Sequence, residues 1–293
     1  MRGSQVVLAV VTFVSMAYSG GMNWDVAPHL LDESARYGFL PSDLRDFLLR
    51  CRAGLPFAGW LFAILGAHEM GHYIACRRYR IMATWPYFLP LPVFAFGTIG
   101  AVIRIRAPIP DRRALFDVAL AGPVAGFVVA MAARVAGVWT AETVPAGIEG
   151  GGALFVPPLA AGWIADFLRP GETLAINGTL AAAWGGFLIT ALNLFPAGQL
   201  DGGHIAYAVS RRTHRLFSRA AIVLAAGSVV YALSLWQPPM YLLWLGILLW
   251  MRDKHPPVWT ESVPLGRART WLAVAALLLF VACFTLLPVR LFD

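Results

Sequence analysis

His68, Glu69 and His72 lie in "LFAILGAHEMGHYIA", an otherwise apolar stretch from Leu61 to Ala75. Four residues apart, the two histidines share one face of a helix. Two neutral imidazole nitrogens so placed can bind one zinc ion. Glu69 follows His68, so it lies near the metal without having to ligate it. There it can take a proton from water activated by the ion, the metalloprotease His-Glu-x-x-His arrangement. In a soluble protein this five-residue pattern would be weak evidence. In an apolar run of membrane length it is stronger, because ionisable groups in a membrane are costly and functional by default. The plainer reading is a set of polar groups satisfying one another in a helix bundle.

A hydrolytic zinc site uses three protein ligands and keeps one position for water. The third ligand is expected from "NLFPAGQLDGGH", residues 193–204. Asp201 stands there between Leu200 and Gly202-Gly203, and the glycines allow close backbone approach or an unusual turn. Both segments meet a basic flank, Arg77-Arg78 after the first and Arg211-Arg212 after the second. Asp201 can therefore reach the depth of His68 and His72. His204 is a candidate fourth ligand or substrate contact; a surface histidine past the turn is the plainer reading.

The elements that must position these groups are set by composition. The 293-residue chain is 59% hydrophobic and 13% charged, against about 25% charged in soluble domains. Apolar runs cover 5–18, 55–75, 115–139, 173–195, 219–236, 240–250 and 270–287. With about 20 apolar residues needed per crossing, they predict an all-α polytopic membrane protein of six or seven transmembrane helices. The net charge of +7 follows topology: Arg2 and the stretches 77–113, 197–219 and 252–269 hold 16 of the 23 Lys and Arg residues. Every second loop is thus basic, which makes nucleic acid an unneeded partner. This alternation favours a retained first span over a cleaved signal peptide. Cys51, Cys76 and Cys283 have no metal-binding or disulfide spacing.

Between the runs, residues 21–54 form the most polar outer segment, with Ser42 capping a short amphipathic helix that presents Leu44, Phe47 and Leu48 and ends at Gly54. Residues 81–113 are apolar but broken by Pro86, Pro90, Pro92, Gly97 and Gly100. Interior prolines argue against a helix, and the alternation in "GAVIRIRA" reads as a strand. A re-entrant β-strand or hairpin beside a cavity is expected, since irregular backbone at membrane depth needs protein or water around it. Residues 147–172 are expected to dip into the outer leaflet. Gly122 and Gly126, four apart, suit close helix packing. Asp117 reads as a helix-start acid favoured by the dipole, and Arg134 as a snorkelling side chain. Three regions result: 1–54, a first span and outer amphipathic segment; 55–210, a catalytic membrane core; 211–293, C-terminal transmembrane helices.

The chain resembles the site-2 protease family of intramembrane zinc metalloproteases. The resemblance rests on His68-Glu69-Met70-Gly71-His72, on Asn193-Leu194-Phe195-Pro196 with Leu200-Asp201-Gly202-Gly203, and on "AGPVAG" at 121–126. It covers roughly 55–210 and is nearest the branch with chloroplast members and bacterial relatives. It implies one zinc ion per chain held by His68, His72 and Asp201, Glu69 as the catalytic glutamate, and Asn193 in contact with substrate backbone or oxyanion. Gly198 and Gln199 depart from the proline-rich form of the aspartate motif, and no segment has room for a PDZ domain.

The expected activity is hydrolysis of peptide bonds within or near transmembrane segments of membrane proteins in a lipid bilayer. An edge strand around 99–105, with Gly100 and Val102 as candidate substrate contacts, would receive the unwound substrate by strand addition. Alternatives from other classes are a catalytically silent membrane chaperone or scaffold on the same fold, and a transporter with a metal on its path, which should show internal repeats. The family branch and the lack of an organelle transit peptide suggest a bacterial inner membrane, with the site toward the cytoplasmic side.

Overall fold

The computed structural model describes residues 3–24, 40–144 and 152–292. The middle of the polar 21–54 segment and the Gly-rich start of the 147–172 stretch lie outside the described residues. The helices are α1 (Gly3–Asn23), α2 (Leu44–Ala53), α3 (Leu55–Arg78), α4 (Arg112–Thr140), α5 (Leu159–Leu168), α6 (Gly178–Leu194), α7 (Asp201–Val209), α8 (Arg211–Ser234), α9 (Leu242–Met251) and α10 (Arg267–Cys283). Two antiparallel pairs complete the described fold: β1 (Tyr87–Pro90) with β2 (Thr98–Val102), and β3 (Gly152–Phe155) with β4 (Val289–Phe292).

Local chemistry fixes the helix ends. Asp111 caps α4 by accepting from the Ala114 N–H at 2.9 Å, Asn177 caps α6 through the Leu180 N–H at 2.8 Å, and Ser210 caps α8 through the Thr213 N–H at 2.9 Å. Such caps satisfy donors that a helix start leaves open. The cap of α2 is Asp43, not Ser42; Asp43 accepts from the Asp46 N–H, while the Ser42 N–H donates to the Asp46 carboxylate. Gly54 ends α2 as expected, and Pro56 opens α3, where its missing N–H costs nothing.

Among the described residues three helices are long and apolar enough to cross a membrane, α1, α4 and α8, and a fourth crossing results if α2 and α3, bent by 59°, form one span. This is fewer than the six or seven expected. The 173–195 run is helical only from Gly178, because Leu174 is engaged in a bridge with Thr143. The 240–250 run forms ten helical residues, and α10 has 17. Length alone misjudges α6: 13 of its 17 residues are buried, so it runs through protein and need not match a bilayer.

α3, α4 and α6 pack on one another around Ile64, Ala130, Ala183 and Phe187. α1 lies against α3 and the β1–β2 hairpin, where Ser15 donates to the Gly97 carbonyl at 2.6 Å and Ser19 to the Ala95 carbonyl at 2.8 Å. Asp117 does more than complement a helix dipole. It accepts both branches of Arg269 at 2.8 Å and the Tyr79 hydroxyl, tying α10 to α4 and to the end of α3. Arg134 donates to the Ala161 carbonyl at 3.0 Å, so it is held by α5 rather than snorkelling freely.

The bend at Gly54 brings α1 into backbone contact. A Cβ there would collide with the Ala17 carbonyl and the Gly21 N–H. Gly54→Ala is expected to destabilise the fold by about 1–3 kcal/mol, the usual cost of overpacking. Gly59→Ala, with no atom within 4 Å of the added carbon, serves as control. Thermal unfolding in detergent should show a lowered midpoint for the first variant alone.

Candidate metal centre

The α3 sequence places His68 and His72 one turn apart on the face that meets α4. α4 can approach because it offers glycine. A Cβ at Gly122 would collide with the His72 imidazole, and one at Gly126 would lie 3.2 Å from the His68 Cβ. Packing and chemistry therefore share the same two glycines. The third group comes from the break between α6 and α7. Phe195 and Pro196 end α6, the chain turns through Gly198 (φ +56°), and Asp201 opens α7. Gly202 and Gly203 let this turn sit on carbonyls of Leu194 and Ala197 that any side chain would strike.

The turn delivers Asp201 to the histidines. His68 Nε2 and His72 Nε2 are 3.1 Å apart, and Asp201 Oδ2 is 3.4 Å from the first and 3.3 Å from the second. Among the described residues this is the group of histidine, cysteine and acidic side chains able to hold a metal. A tetrahedral ion with bonds of roughly 2.0–2.2 Å separates its ligand atoms by about 3.3–3.6 Å, so the triangle fits one such ion. Tautomers agree. His72 Nδ1 lies 2.7 Å from the Val118 carbonyl; it must donate there, which leaves Nε2 with a bare lone pair facing His68 and Asp201. His68 Nδ1 is buried without a hydrogen-bond partner among the described residues.

Glu69 and Asn193 flank the triangle. The Glu69 carboxylate accepts from the backbone N–H of Ile103, just past β2. Asn193, in the last turn of α6, brings its amide nitrogen 3.3 Å from His68 Nε2. All five groups line one cavity of about 310 Å3, whose wall includes Ala101, Val102 and Ile103. Gly100 is not on that wall. Its φ is +121° and it pairs with Leu89, as Val102 pairs with Tyr87.

His204 also lines the cavity, and it is neither a surface residue nor one of the three clustered ligand groups. Its Nδ1 lies 2.7 Å from His255 Nε2, and His255 Nδ1 lies 2.6 Å from the Pro256 carbonyl. Burial first, then the neighbouring His204, holds His255 down to about 3, so it is neutral. His255 Nδ1–H must donate to Pro256, and His204 Nδ1–H to His255, which leaves His204 Nε2 as an acceptor. His255 stacks on Tyr207 at 3.8 Å, and the Tyr207 hydroxyl donates to Glu261 at 2.6 Å. Hydrogen bonds from Arg211 and Tyr207 hold the Glu261 carboxyl below its usual range. Sequence reasoning missed Val118, Ile103 and His255. The first two act through backbone atoms, and His255 stands 51 residues from its partner with no motif around it.

Residues 56–235, more than half of the chain, match the peptidase family M50. The chain belongs to that family. This agrees with the site-2 protease resemblance carried by the two motifs. The M50 chain is 33% identical over 202 residues to the probable zinc metalloprotease EGY2, chloroplastic, of Arabidopsis thaliana, covering 66% of this chain and 36% of that protein. It is 29% identical to the probable zinc metalloprotease EGY1, chloroplastic, of Oryza sativa subsp. japonica, covering 85% and 43%. To the rice EGY3 protein of subsp. indica, also named a probable chloroplastic zinc metalloprotease, it is 28% identical, covering 96% and 47%. The chain thus spans between about a third and a half of the length of these relatives.

The relatives overturn the assignment to a bacterial inner membrane with a cytoplasm-facing site. That assignment rested on the family branch, and these relatives are plant proteins named as chloroplastic. The branch therefore gives no ground for a bacterial membrane. The lack of a transit peptide carries no weight in a chain that spans only part of its relatives.

Gly122→Ala is expected to lower bound divalent metal more than tenfold, in line with losses of about 10–100-fold when the surroundings of a ligand are disturbed. Gly126→Ala, whose added carbon has more room, should lose less. Metal analysis of the purified variants, with Gly227→Ala as the uncrowded control, orders the three.

Proposed function

We propose that this chain is an intramembrane zinc endopeptidase, with His68, His72 and Asp201 as the ligands of one zinc ion and Glu69 as the proton carrier. The observation that carries the reading is the triangle of ligand atoms, with edges of 3.1–3.4 Å, next to a carboxylate that is not part of it. Zinc held there supplies Lewis-acid activation of water. The membership in M50 and the relatives named as probable zinc metalloproteases support the same activity.

The chain's own groups then have distinct tasks. Glu69 receives a proton and returns it to the leaving amine, its carboxylate aimed by the Ile103 N–H. Asn193 offers an amide N–H to the oxygen that gains charge as the peptide is attacked. His204, a neutral acceptor through the His255 contact, is suited to orient a substrate N–H. Substrates are transmembrane segments of other proteins. Their helical amides are already paired, so the scissile region has to unwind before attack. The hairpin offers an open strand edge beside the cavity. Strand alternation from Ile103 turns the backbone groups of Ala101 and Ile103 away from β1, while Gly100 and Val102 turn theirs to β1. With the Ile103 N–H given to Glu69, the Ala101 N–H and C=O and the Ile103 C=O are left for a substrate strand. We place strand addition there, with Val102 as a side-chain contact.

The region from 55 to 210 is read as the catalytic core, and the family match runs on through α8. We read six or seven crossings, with α6, α10 and α9 adding to the longer helices. The alternation of basic loops supports this, as does the burial of α6, which frees it from bilayer length. The hairpin is read as re-entrant, its irregular backbone sheltered by α1 and α3. The intact Glu69 and complete ligand set favour catalysis over a silent scaffold.

Glu69→Gln should retain zinc and lose cleavage of single-span substrates by about 10²–10⁴-fold, the usual worth of a proton-transfer group. Loss of zinc in this variant, or undiminished cleavage, would remove Glu69 from the role. Ala101→Pro deletes one outward N–H at an edge that tolerates proline; it should reduce kcat/KM at least tenfold with zinc unchanged. Full activity in that variant would place substrate elsewhere.

A further inference from the structure

We propose that a groove at the base of the hairpin binds the phosphate headgroup of an anionic membrane lipid. The groove, of about 710 Å3, lies between the start of α1, the end of α3 and the two legs of the β1–β2 hairpin. Arg77, Arg80 and Arg106 line it, and no acidic residue does. Several arginines elsewhere are answered, Arg50 by Asp46, Arg211 and Arg112 by Glu261, Arg169 by Glu172 and Arg269 by Asp117. Others, such as Arg212, Arg215 and Arg219, are unpaired among the described residues but lie on open helix surface rather than in a groove. The three groove arginines are exposed and, among the described residues, have no ion pair or side-chain hydrogen bond. Three unanswered positive charges on one concave surface repel each other, and an anion between them removes that cost. Guanidinium forks match phosphate oxygens in pairs.

The surroundings select a lipid over a soluble anion. Trp85, 40% exposed, and Tyr87 line the wall, and Trp85 stacks on Tyr73 at 5.2 Å. Such residues settle at headgroup level. Met82, 66% exposed, continues the groove with apolar surface suited to the start of an acyl chain. Arg80 holds φ +57° in the turn that ends α3, where the Ile81 N–H reaches back to the Cys76 carbonyl at 2.8 Å. Glycine is the usual residue at such a position; here arginine occupies it and lines the groove.

A bound headgroup would join three elements. Gln5 of α1 already donates to the Trp85 carbonyl at 2.9 Å, and the hairpin legs are stitched by Thr84 N–H to Arg104 at 3.0 Å and Arg106 N–H to Met82 at 2.8 Å. The second leg carries Ile103, whose N–H holds Glu69. Headgroup binding is thus expected to steady the strand beside the cavity, a consequence that rests on the function proposed above.

The test uses the full chain in detergent, with phosphatidylglycerol retention read by native mass spectrometry and no proteolysis involved. The groove triple variant Arg77→Gln/Arg80→Gln/Arg106→Gln is compared with Arg212→Gln/Arg215→Gln/Arg219→Gln, an equal charge change on another exposed basic stretch. Each arginine near a membrane surface contributes about 1 kcal/mol toward anionic lipid, so the groove variant should bind at least tenfold more weakly and the control less than threefold. Arg106→Gln alone should show an intermediate loss, guarding against misfolding of the triple variant. Equal losses in both triple variants would mean diffuse attraction and overturn the site. Full displacement of the lipid by millimolar inorganic phosphate would reassign the groove to a soluble anion. Metal content, measured in the same samples, reports separately on the zinc reading.

Discussion

The close approach of α3 and α4 is the constraint from which the rest of the molecule follows. A histidine ligand inside a helix bundle needs room for its ring and a partner for its second nitrogen. Here both come from α4. Gly122 and Gly126 leave the space that the imidazoles fill, and the Val118 carbonyl, one turn before Gly122, takes the His72 Nδ1 proton. That carbonyl serves a side chain of the neighbouring helix from within α4's own hydrogen-bonded ladder, and it costs the bundle no further charge. Once the two helices are locked at this distance, α6 has one place to lie, across both, and its broken end has one place to deliver Asp201.

The hairpin depends on the same arrangement from the other side. α1 clasps its tip through Ser15 and Ser19, and its second leg passes over the cavity near enough for Ile103 to bond Glu69. The wall that would meet a guest chain and the group that would move its protons are thus joined by one hydrogen bond. A strand at membrane depth would have to be covered or paired; the fold covers one edge with β1 and leaves the other facing the cavity.

Much of this was legible in the residues. The spacing of His68 and His72, the acid between glycines at Asp201, the proline-broken strand region and the long apolar runs all act through side-chain type and period. What escaped the sequence acts through backbone atoms or distant partners. The Val118 carbonyl and Ile103 N–H carry no residue signature. Asp117 and Arg269 are 152 positions apart, so the acid looked like a dipole partner until the fold joined it to α10. Ser42 and Asp43 are both good caps, and only the local geometry of Asp46 decides between them. Helix length counts fewer spans than the apolar runs do, because burial within protein, as in α6, removes the link between helix length and bilayer thickness. The membrane assignment failed for a different reason: location is not encoded in the chemistry of a site.

The pairing of Asp201 with a nearby second carboxylate at Glu69 has a consequence for how the cavity can be assembled at all. A divalent cation between two anionic groups and two neutral imidazoles sums to zero. Burying a net-neutral cluster avoids most of the solvation penalty that a single uncompensated charge would incur in a low-dielectric surrounding. Without the cation the cluster loses that balance, and Asp201 and the two imidazoles must meet their burial without the charge between them. Insertion of the ion and completion of the helix packing are then coupled, and the apo chain should be looser where α6 breaks into α7 to deliver Asp201.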